Sequence, residues 1–301
     1  MAIIPDGTPY IQAIHHGWYG HKVAELSMLR LDIVHHDISG NKWYKLKYNI
    51  EHCINNNINR ILTFGGAYSN HLAATAAMAN LAGLQAVGIV RGMFSEHQLT
   101  PTLQFCRDNG MALHFVSYED YGRKSNEDML QNLEQLYPGT FIIPEGGANN
   151  YGRLGAGEIT AYIPYHYTHI AVSVGTGTTL VGLVNNLSSS QKVTGFAPMK
   201  GGVYLNDEVA SCIHEGKQGN YRIYDDWHFG GFGKYNDTLI LFMNDFYKQN
   251  NIPLDVVYTA KMMYGINEQL TAGIFDAAAR ILCIHTGGLQ GNTSLAGRLI
   301  Y

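Results

Sequence analysis

Apolar residues along this chain gather in short unbroken runs, separated by longer stretches with helical spacing. The runs "RILTFGG" (60–66), "QAVGIVRG" (85–92), "ALHFV" (112–116), "TFIIP" (140–144), "THIAVSV" (168–174) and "KVTGFAP" (192–198) have the length of buried strands. Between them, "SNHLAATAAMANLAGL" (69–84), "LTPTLQFCRDNG" (99–110), "SNEDMLQNLEQLYPG" (125–139), "NYGRLGAGEITAYI" (150–163) and "TTLVGLVNNLSSS" (178–190) read as helices. Gly110 closes the second of these, and Ser125 is placed to cap the third, with Asp128 at capping-box spacing. The stretch 199–232, rich in Gly, Asp and Tyr, reads as a loop. Alternation resumes with a helix at 238–249, a strand "LDVVY" (254–258), a helix "TAKMMYGINEQLTAG" (259–273) and a last strand in "ARILCIHTGG" (279–288). Strands alternating with helices in this way predict an α/β fold with a parallel sheet and helices on both faces. A ligand of such a fold lies in the cleft at the carboxyl ends of the strands.

Two of the strand ends carry glycines and hydroxyls. Gly175-Thr176-Gly177-Thr178-Thr179 follows one strand and opens a helix. Backbone N–H groups turned inward, together with the helix N-terminus, make a phosphate cradle there. No lysine follows at P-loop spacing, and Leu180 stands where the third glycine of the dinucleotide fingerprint would be. A single small phosphate therefore fits better than ATP or NAD; the plainer reading is a tight turn capped by hydroxyls. "GGAYSNHLA" (65–73) repeats the arrangement, with Ser69, Asn70 and His71 at the first helical turn. That terminus suits a carboxylate, or is simply a helix with a serine cap.

Lys42, in "SGNK" (39–42), precedes an amphipathic run. Taken alone it is a solvated surface charge. Beside a phosphate cradle it acquires a chemical meaning, because pyridoxal phosphate needs both a cradle and a lysine amine for an imine link.

Composition narrows the classes. With 301 residues there is room for two lobes, and a formal net charge of −4 gives no reason to expect nucleic acid. The four cysteines are scattered without a CxxC pair, which argues against zinc and for the cytosol. No basic segment followed by an apolar run marks the N-terminus as a signal peptide. The apolar region "HLAATAAMANLAGLQAVGIV" (71–90) is broken by polar residues and glycines, so it reads as helix, turn and strand rather than a membrane span. His35-His36-Asp37 would point alternate ways on an extended segment, so no shared metal is expected.

Seven stretches occur in a telling order: "SGNKWYKLKY", "GGAYSNH", "PEGGANNYGRLGAGEI", "GTGTT", "FGGFGKYND", "VYTAKMMYG" and "HTGGLQG". Together they resemble the family of D-cysteine desulfhydrase and 1-aminocyclopropane-1-carboxylate deaminase, from about residue 30 to the C-terminus. These are pyridoxal-phosphate enzymes of fold type II, the two-lobed tryptophan-synthase-β-like fold. The resemblance implies a larger cofactor-binding lobe from residues 1–49 and 156–301, and a smaller inserted lobe at 50–155. It makes Lys42 the Schiff-base lysine, rather than Lys45 or Lys47, and Gly175, Thr176, Gly177, Thr178 and Thr179 the phosphate loop. Asn70 would contact the cofactor's phenolic oxygen, and Thr259 its pyridine nitrogen. Ser69, Tyr235 and Tyr258 are implied in catalysis, and Ser69, Asn70, His71 and Thr286 in substrate binding.

The implied protein is a cytoplasmic homodimer acting as a lyase on a small amino acid. The first choice of reaction is D-cysteine to pyruvate, ammonia and hydrogen sulfide. The alternatives are hydrolytic deamination of 1-aminocyclopropane-1-carboxylate, and a homologue that binds cofactor or amino acid without turnover. The desulfhydrase members carry threonine where this chain has Thr259, and the deaminase members carry glutamate there and leucine at Thr286. A neutral hydroxyl at Thr259 would favour an unprotonated ring nitrogen. The segment before Lys42 is shorter than in the family, and the loop before "FGGFGKYND" is altered.

Overall fold

The protein is seen in a computed structural model that describes residues 4–93, 98–202 and 204–301. The chain opens with β1 (Tyr10–Ala13), the single turn α1 (His16–Tyr19) and β2 (Glu25–Arg30). Next come α2 (Asn41–Asn55), β3 (Arg60–Gly66), α3 (Asn70–Ala82), β4 (Gln85–Arg91), α4 (Pro101–Asp108) and β5 (Met111–Val116). They are followed by α5 (Tyr118–Gly122), α6 (Glu127–Leu136), β6 (Thr140–Ile143), α7 (Asn150–Glu158), β7 (His169–Ser173) and α8 (Thr178–Asn186). The chain ends with β8 (Lys192–Phe196), α9 (Tyr204–Ala210), β9 (Tyr221–Tyr224), α10 (Asp237–Asn250), α11 (Thr259–Thr271) and β10 (Arg280–His285).

Two sheets result. One runs β5-β4-β3-β6 and is wholly parallel. The other runs β1-β2-β10-β7-β8-β9 and is parallel except where β1 lies antiparallel on β2. Helices cover the inner strands, so these strands read as continuous apolar runs instead of alternating ones. Ile281, Leu282, Cys283 and Ile284 of β10 are all fully buried, on both faces. The alanine-rich α3 is buried along Leu72–Ala79, and its small side chains let it lie close to the sheet.

α7 shows why "RLGAGE" tolerates two glycines in a helix, each of which costs about 1 kcal/mol against alanine. A Cβ on Gly155 would lie 1.9 Å from the Tyr44 carbonyl oxygen of α2, and one on Gly157 would lie 2.5 Å from the Asn186 amide of α8. Gly155 brings α7 against the backbone of α2, and Gly157 makes room for a side chain of α8, so three helices pack closely here. The expected lobe boundaries, 49/50 and 155/156, fall inside α2 and α7, which are two of these helices.

Several local expectations change. "LDVVY" is no strand but the turn that launches α11. Both oxygens of the Asp255 carboxylate accept the backbone N–H groups of Val257, Tyr258 and Thr259, and these local bonds replace a ladder. The stretch read as a loop carries α9 and β9, and within it Val203 lies outside the described residues. α6 is preceded by Asn126 at its cap position rather than Ser125, and Asp128 pairs with Arg123. β1 and β2 had no separate signal in the pattern. Among the described residues, no helix is long and apolar enough to cross a membrane.

Candidate active site

α2 begins at Gly40, whose φ of +68° is left-handed. A Cβ there would stand 2.0 Å from the Thr286 carbonyl oxygen, so only glycine lets the start of α2 press on the end of β10. The Asn41 N–H donates to that same carbonyl at 3.3 Å. The Asn41 side chain then faces both ways. Its Nδ2 donates to Thr179 Oγ1 at 2.8 Å, and its Oδ1 accepts from Lys42 Nζ at 2.8 Å. One buried amide thus ties the lysine to the threonine-rich loop.

Lys42 Nζ lies 5.9 Å from the centroid of the Tyr258 ring. Burial pushes the amine down to about 8, with Asp255 pulling the other way. A larger fraction is therefore free amine at neutral pH than for an exposed lysine. Capture of an aldehyde by Lys42 should speed up roughly tenfold per pH unit below about 8 and level off above it. Stopped-flow absorbance on the cofactor-free protein would read this; a rate still climbing at pH 10 would return the amine to its solvent value.

The loop from β7 to α8 carries Gly177 at φ +75°, and a Cβ there would meet Val209 at 2.6 Å. Thr176 and Thr178 bond through their hydroxyls at 2.9 Å, and α8 aims its N-terminal N–H groups into the loop. A Cβ on Gly175 would lie 3.5 Å from the Tyr258 ring. Across from this loop, a Cβ on Gly146 would strike Thr176 at 2.7 Å, and one on Gly147 would lie 3.4 Å from the Lys45 side chain. Lys45 is only 5% exposed, and its amine is held well below the usual range, first by burial and then by Lys42. It is a buried amine whose stem lies along Gly147, next to the Gly146 that meets Thr176, and among the described residues no carboxylate lies within ion-pair distance of it.

On the other wall, Ser69 caps α3 by accepting from the Leu72 N–H at 3.2 Å, which leaves its own hydroxyl hydrogen free. Asn70 Oδ1 is buried without a partner. Its Nδ2 would be 2.6 Å from a Cβ on Gly288, which is itself 3.4 Å from Asp255 Cγ. His71 departs from expectation. Thr63 Oγ1 donates its one proton to the Ile143 carbonyl at 2.7 Å, so the 2.9 Å contact from His71 Nε2 must be a donated N–H. Burial, then Lys45 and Lys42, hold the ring neutral. Its Nδ1 is bare, so His71 presents a lone pair and has no donor for a carboxylate.

A family profile described as pyridoxal-phosphate-dependent enzyme matches residues 28–287. The chain belongs to this family. It is 28% identical to the bifunctional D-cysteine desulfhydrase/1-aminocyclopropane-1-carboxylate deaminase of Arabidopsis thaliana, covering 89% of this chain and 73% of that one. It is 25% identical to the D-cysteine desulfhydrase of Klebsiella pneumoniae, covering 89% and 88%. A solved structure titled as that of an ACC deaminase homologue superposes with a TM-score of 0.83 at 26% identity, over 99% of this chain and 97% of that one. The fold is the tryptophan-synthase-β-like fold of pyridoxal-phosphate enzymes.

The residues present suit the family's cofactor on four counts. There is a cradle of glycine, threonine and helix N-terminus; a second buried lysine, Lys45, along Gly147; a lysine amine with lowered proton affinity tied to the cradle through Asn41; and an orphaned acceptor on Asn70. Contacts join Lys42, Gly175–Thr179, Tyr258 and Thr286 into one group, with Asn70 at its edge against Gly288. Tyr235 is not brought to it. That ring lies against the Arg298 guanidinium at 5.8 Å, and the aromatic that packs on Tyr258 is Phe232, edge-on at 5.8 Å.

Thr259 is fully buried, and its hydroxyl makes two short bonds to Asp255, with the Asp255 carbonyl further off at 3.4 Å. It accepts from the Asp255 N–H and donates to the carboxylate, both at 2.8 Å. Asp255, not Thr259, satisfies the start of α11. The sequence reading missed Asp255 and Lys45. For Lys45 a signal was present: Lys42, Lys45 and Asn49 follow i, i+3, i+7 on α2, a polar stripe turned inward. A separate cavity of about 330 Å³ opens on another side of α2, against Trp43, Lys47 and Glu158, and shares no residue with this group.

Proposed function

We propose that this chain catalyses β-elimination from a small amino acid, with D-cysteine as first substrate and pyruvate, ammonia and hydrogen sulfide as products. The observation that carries it is the Lys42 amine, with its lowered proton affinity, tied through the Asn41 side chain to Thr179 of the Gly175–Thr179 loop. Pyridoxal phosphate, when bound, supplies an aldehyde for a covalent link to an amine and a ring that delocalises the electron pair left at Cα.

Lys42 serves twice, as the anchor and, when free, as the base that takes the Cα proton. Asn41 Oδ1 holds its nitrogen in place through either role. Lys45 and the threonine-rich loop hold phosphate. The free hydroxyl hydrogen of Ser69 suits a substrate carboxylate, and Asn70 Oδ1 suits a donor hydroxyl. Burial keeps the Tyr258 phenol well above its ordinary proton affinity, so it donates a proton or a hydrogen bond rather than acting as a base. We propose on the resemblance alone that the enzyme is a cytoplasmic homodimer, and, on the resemblance and the sheet topology, that its lobes divide as 1–49 with 156–301 and 50–155. The confinement of β3 to β6 to the smaller sheet supports the division.

One observation favours a second reading, ring opening of 1-aminocyclopropane-1-carboxylate. The hydroxyl hydrogen of Thr259 is committed to a carboxylate, so its oxygen has only a lone pair to offer. A ring nitrogen meeting that oxygen is favoured in its protonated form, opposite to what a bare threonine suggests, and a protonated ring is the deeper electron sink. Both amino acids should be assayed on one preparation. Hydrogen sulfide and pyruvate from D-cysteine are expected at the higher kcat/KM; faster release of 2-oxobutanoate from the cyclopropane amino acid reverses the choice.

A further inference from the structure

α11 holds a second buried lysine whose role the chemistry above does not use. Lys261 is 2% exposed, and its Nζ donates to the carbonyls of Pro198 at 3.2 Å, His228 at 2.9 Å and Gly231 at 2.9 Å. Three acceptors are the full complement for the three N–H bonds of an ammonium. Two of the three belong to the glycine-rich strap 225–235, and the third to the end of β8.

The strap is folded in a way that needs holding. Phe229 has φ +53°, an uncommon state for a residue with a bulky side chain, and Gly230, Gly231 and Gly233 have φ of +94°, +127° and +70°. This run of left-handed residues turns the His228 and Gly231 carbonyls onto one nitrogen. The rings of the strap seat along one face of α11: Phe232 against Tyr258 at 5.8 Å, and Phe229 against Tyr264 at 4.9 Å. Trp227 packs where a Cβ on Gly265 would come within 2.7 Å. Tyr258, Lys261 and Gly265 are spaced i, i+3, i+7, so a single helix face carries the whole strap. At the near end of that face, Tyr258 stands 5.9 Å from Lys42 Nζ and within van der Waals reach of Gly175.

We propose that Lys261 is a positioning residue: its ammonium gathers the strap and the end of β8 onto α11 and so fixes Phe232 and Tyr258 against the lysine and the phosphate loop. It touches neither substrate nor cofactor. Hydrogen bonds from a charged donor to three carbonyls in a dry site are of the stronger kind. Burial on this scale is otherwise costly for a lysine, which argues for a definite role. The effect on turnover rests on the reaction proposed above; the effect on the strap does not.

The test uses the holoenzyme and Lys261→Met, which keeps the buried stem and removes the donors. Amides of 225–235 should exchange with solvent at least tenfold faster, while β10 and the far end of α11 keep their protection. For D-cysteine, kcat should fall at least tenfold, with cofactor occupancy retained and the circular dichroism of the cofactor band changed. Gly231→Ala attacks the strap from its other side, since alanine resists φ near +127°. It should raise exchange in the same segment, and adding it to Lys261→Met should add little. Unchanged exchange in either folded variant overturns the proposal, as does faster exchange with kcat and the dichroic band unmoved. Because exchange needs no substrate, a wrong choice of substrate would leave that arm readable.

Discussion

Replacing Lys42 with alanine should lower turnover by about a thousandfold or more while leaving the protein folded and able to hold pyridoxal phosphate without a covalent bond. Borohydride reduction of the parent enzyme, followed by peptide mapping, should place the cofactor on Lys42, and the alanine variant should take no label. The prediction has a real competitor, because three lysines lie on α2. Lys47 is excluded by its ion pair with Glu158 at 2.8 Å, which holds its proton more firmly than usual. Lys45 is the serious rival, since burial and the neighbouring Lys42 lower its proton affinity as well. A low proton affinity makes an amine available, but placement decides what it reaches. Lys42 Nζ is held by Asn41, which is bonded in turn to Thr179, and it stands over Tyr258. The side chain of Lys45 runs instead along Gly147. A label on Lys45 would exchange the two roles. Absence of label in both proteins would favour a binding protein over an enzyme.

The fold was largely legible because its inner strands are covered on both faces. Runs such as "RILTFGG" and "ARILCIHTGG" have to be apolar throughout, and helical spacing fills the gaps between them. The glycines at strand ends were legible too, since left-handed or closely approached backbone leaves few alternatives. Gly40 and Gly177 both hold positive φ against a neighbour. What failed were places where side chains compete with the backbone. "LDVVY" is as apolar and β-branched as a strand, yet one aspartate collects three N–H groups and turns it.

Roles within the site were harder still, because they depend on where protons lie. "SNH" could be read as three donors for a carboxylate until the Thr63 hydroxyl fixed which nitrogen of His71 carries hydrogen. "GKY" offered a tyrosine, but the strap turns at its glycines and presents Phe232 to Tyr258 instead of Tyr235. Neither outcome follows from residue type, since the first needs Ile143 to take the Thr63 proton and the second needs Tyr258 and Arg298 to seat the two rings.

Replacing Lys45 with methionine should weaken binding of pyridoxal phosphate and, at the same time, stabilise the protein that lacks it. Lys45 is buried along Gly147, whose neighbour Gly146 meets Thr176 of the loop shaped for phosphate. Charge-assisted bonds to a charged group are worth about 1.5–3 kcal/mol, so affinity should drop roughly tenfold to a hundredfold. Stability moves the other way. The folded-state proton affinity of Lys45 lies below its unfolded value, so at neutral pH the unfolded chain holds the proton more readily than the folded one. This burden is full below the lowered folded-state value, declines as pH rises from there, and is gone above the unfolded value near 10.4. Methionine keeps the stem and removes the burden, for a gain on the order of 1–3 kcal/mol in the cofactor-free protein. Equilibrium dialysis should show the loss for pyridoxal phosphate and little change for pyridoxal, which has no phosphate. Chemical denaturation of the cofactor-free variant at pH 7 should show a higher midpoint than the parent, with the difference shrinking by pH 10. Equal losses for pyridoxal and pyridoxal phosphate would mean that Lys45 acts on another part of the ligand. A cofactor-free variant less stable than its parent would mean that the lysine has an acceptor in the empty site and is no burden there.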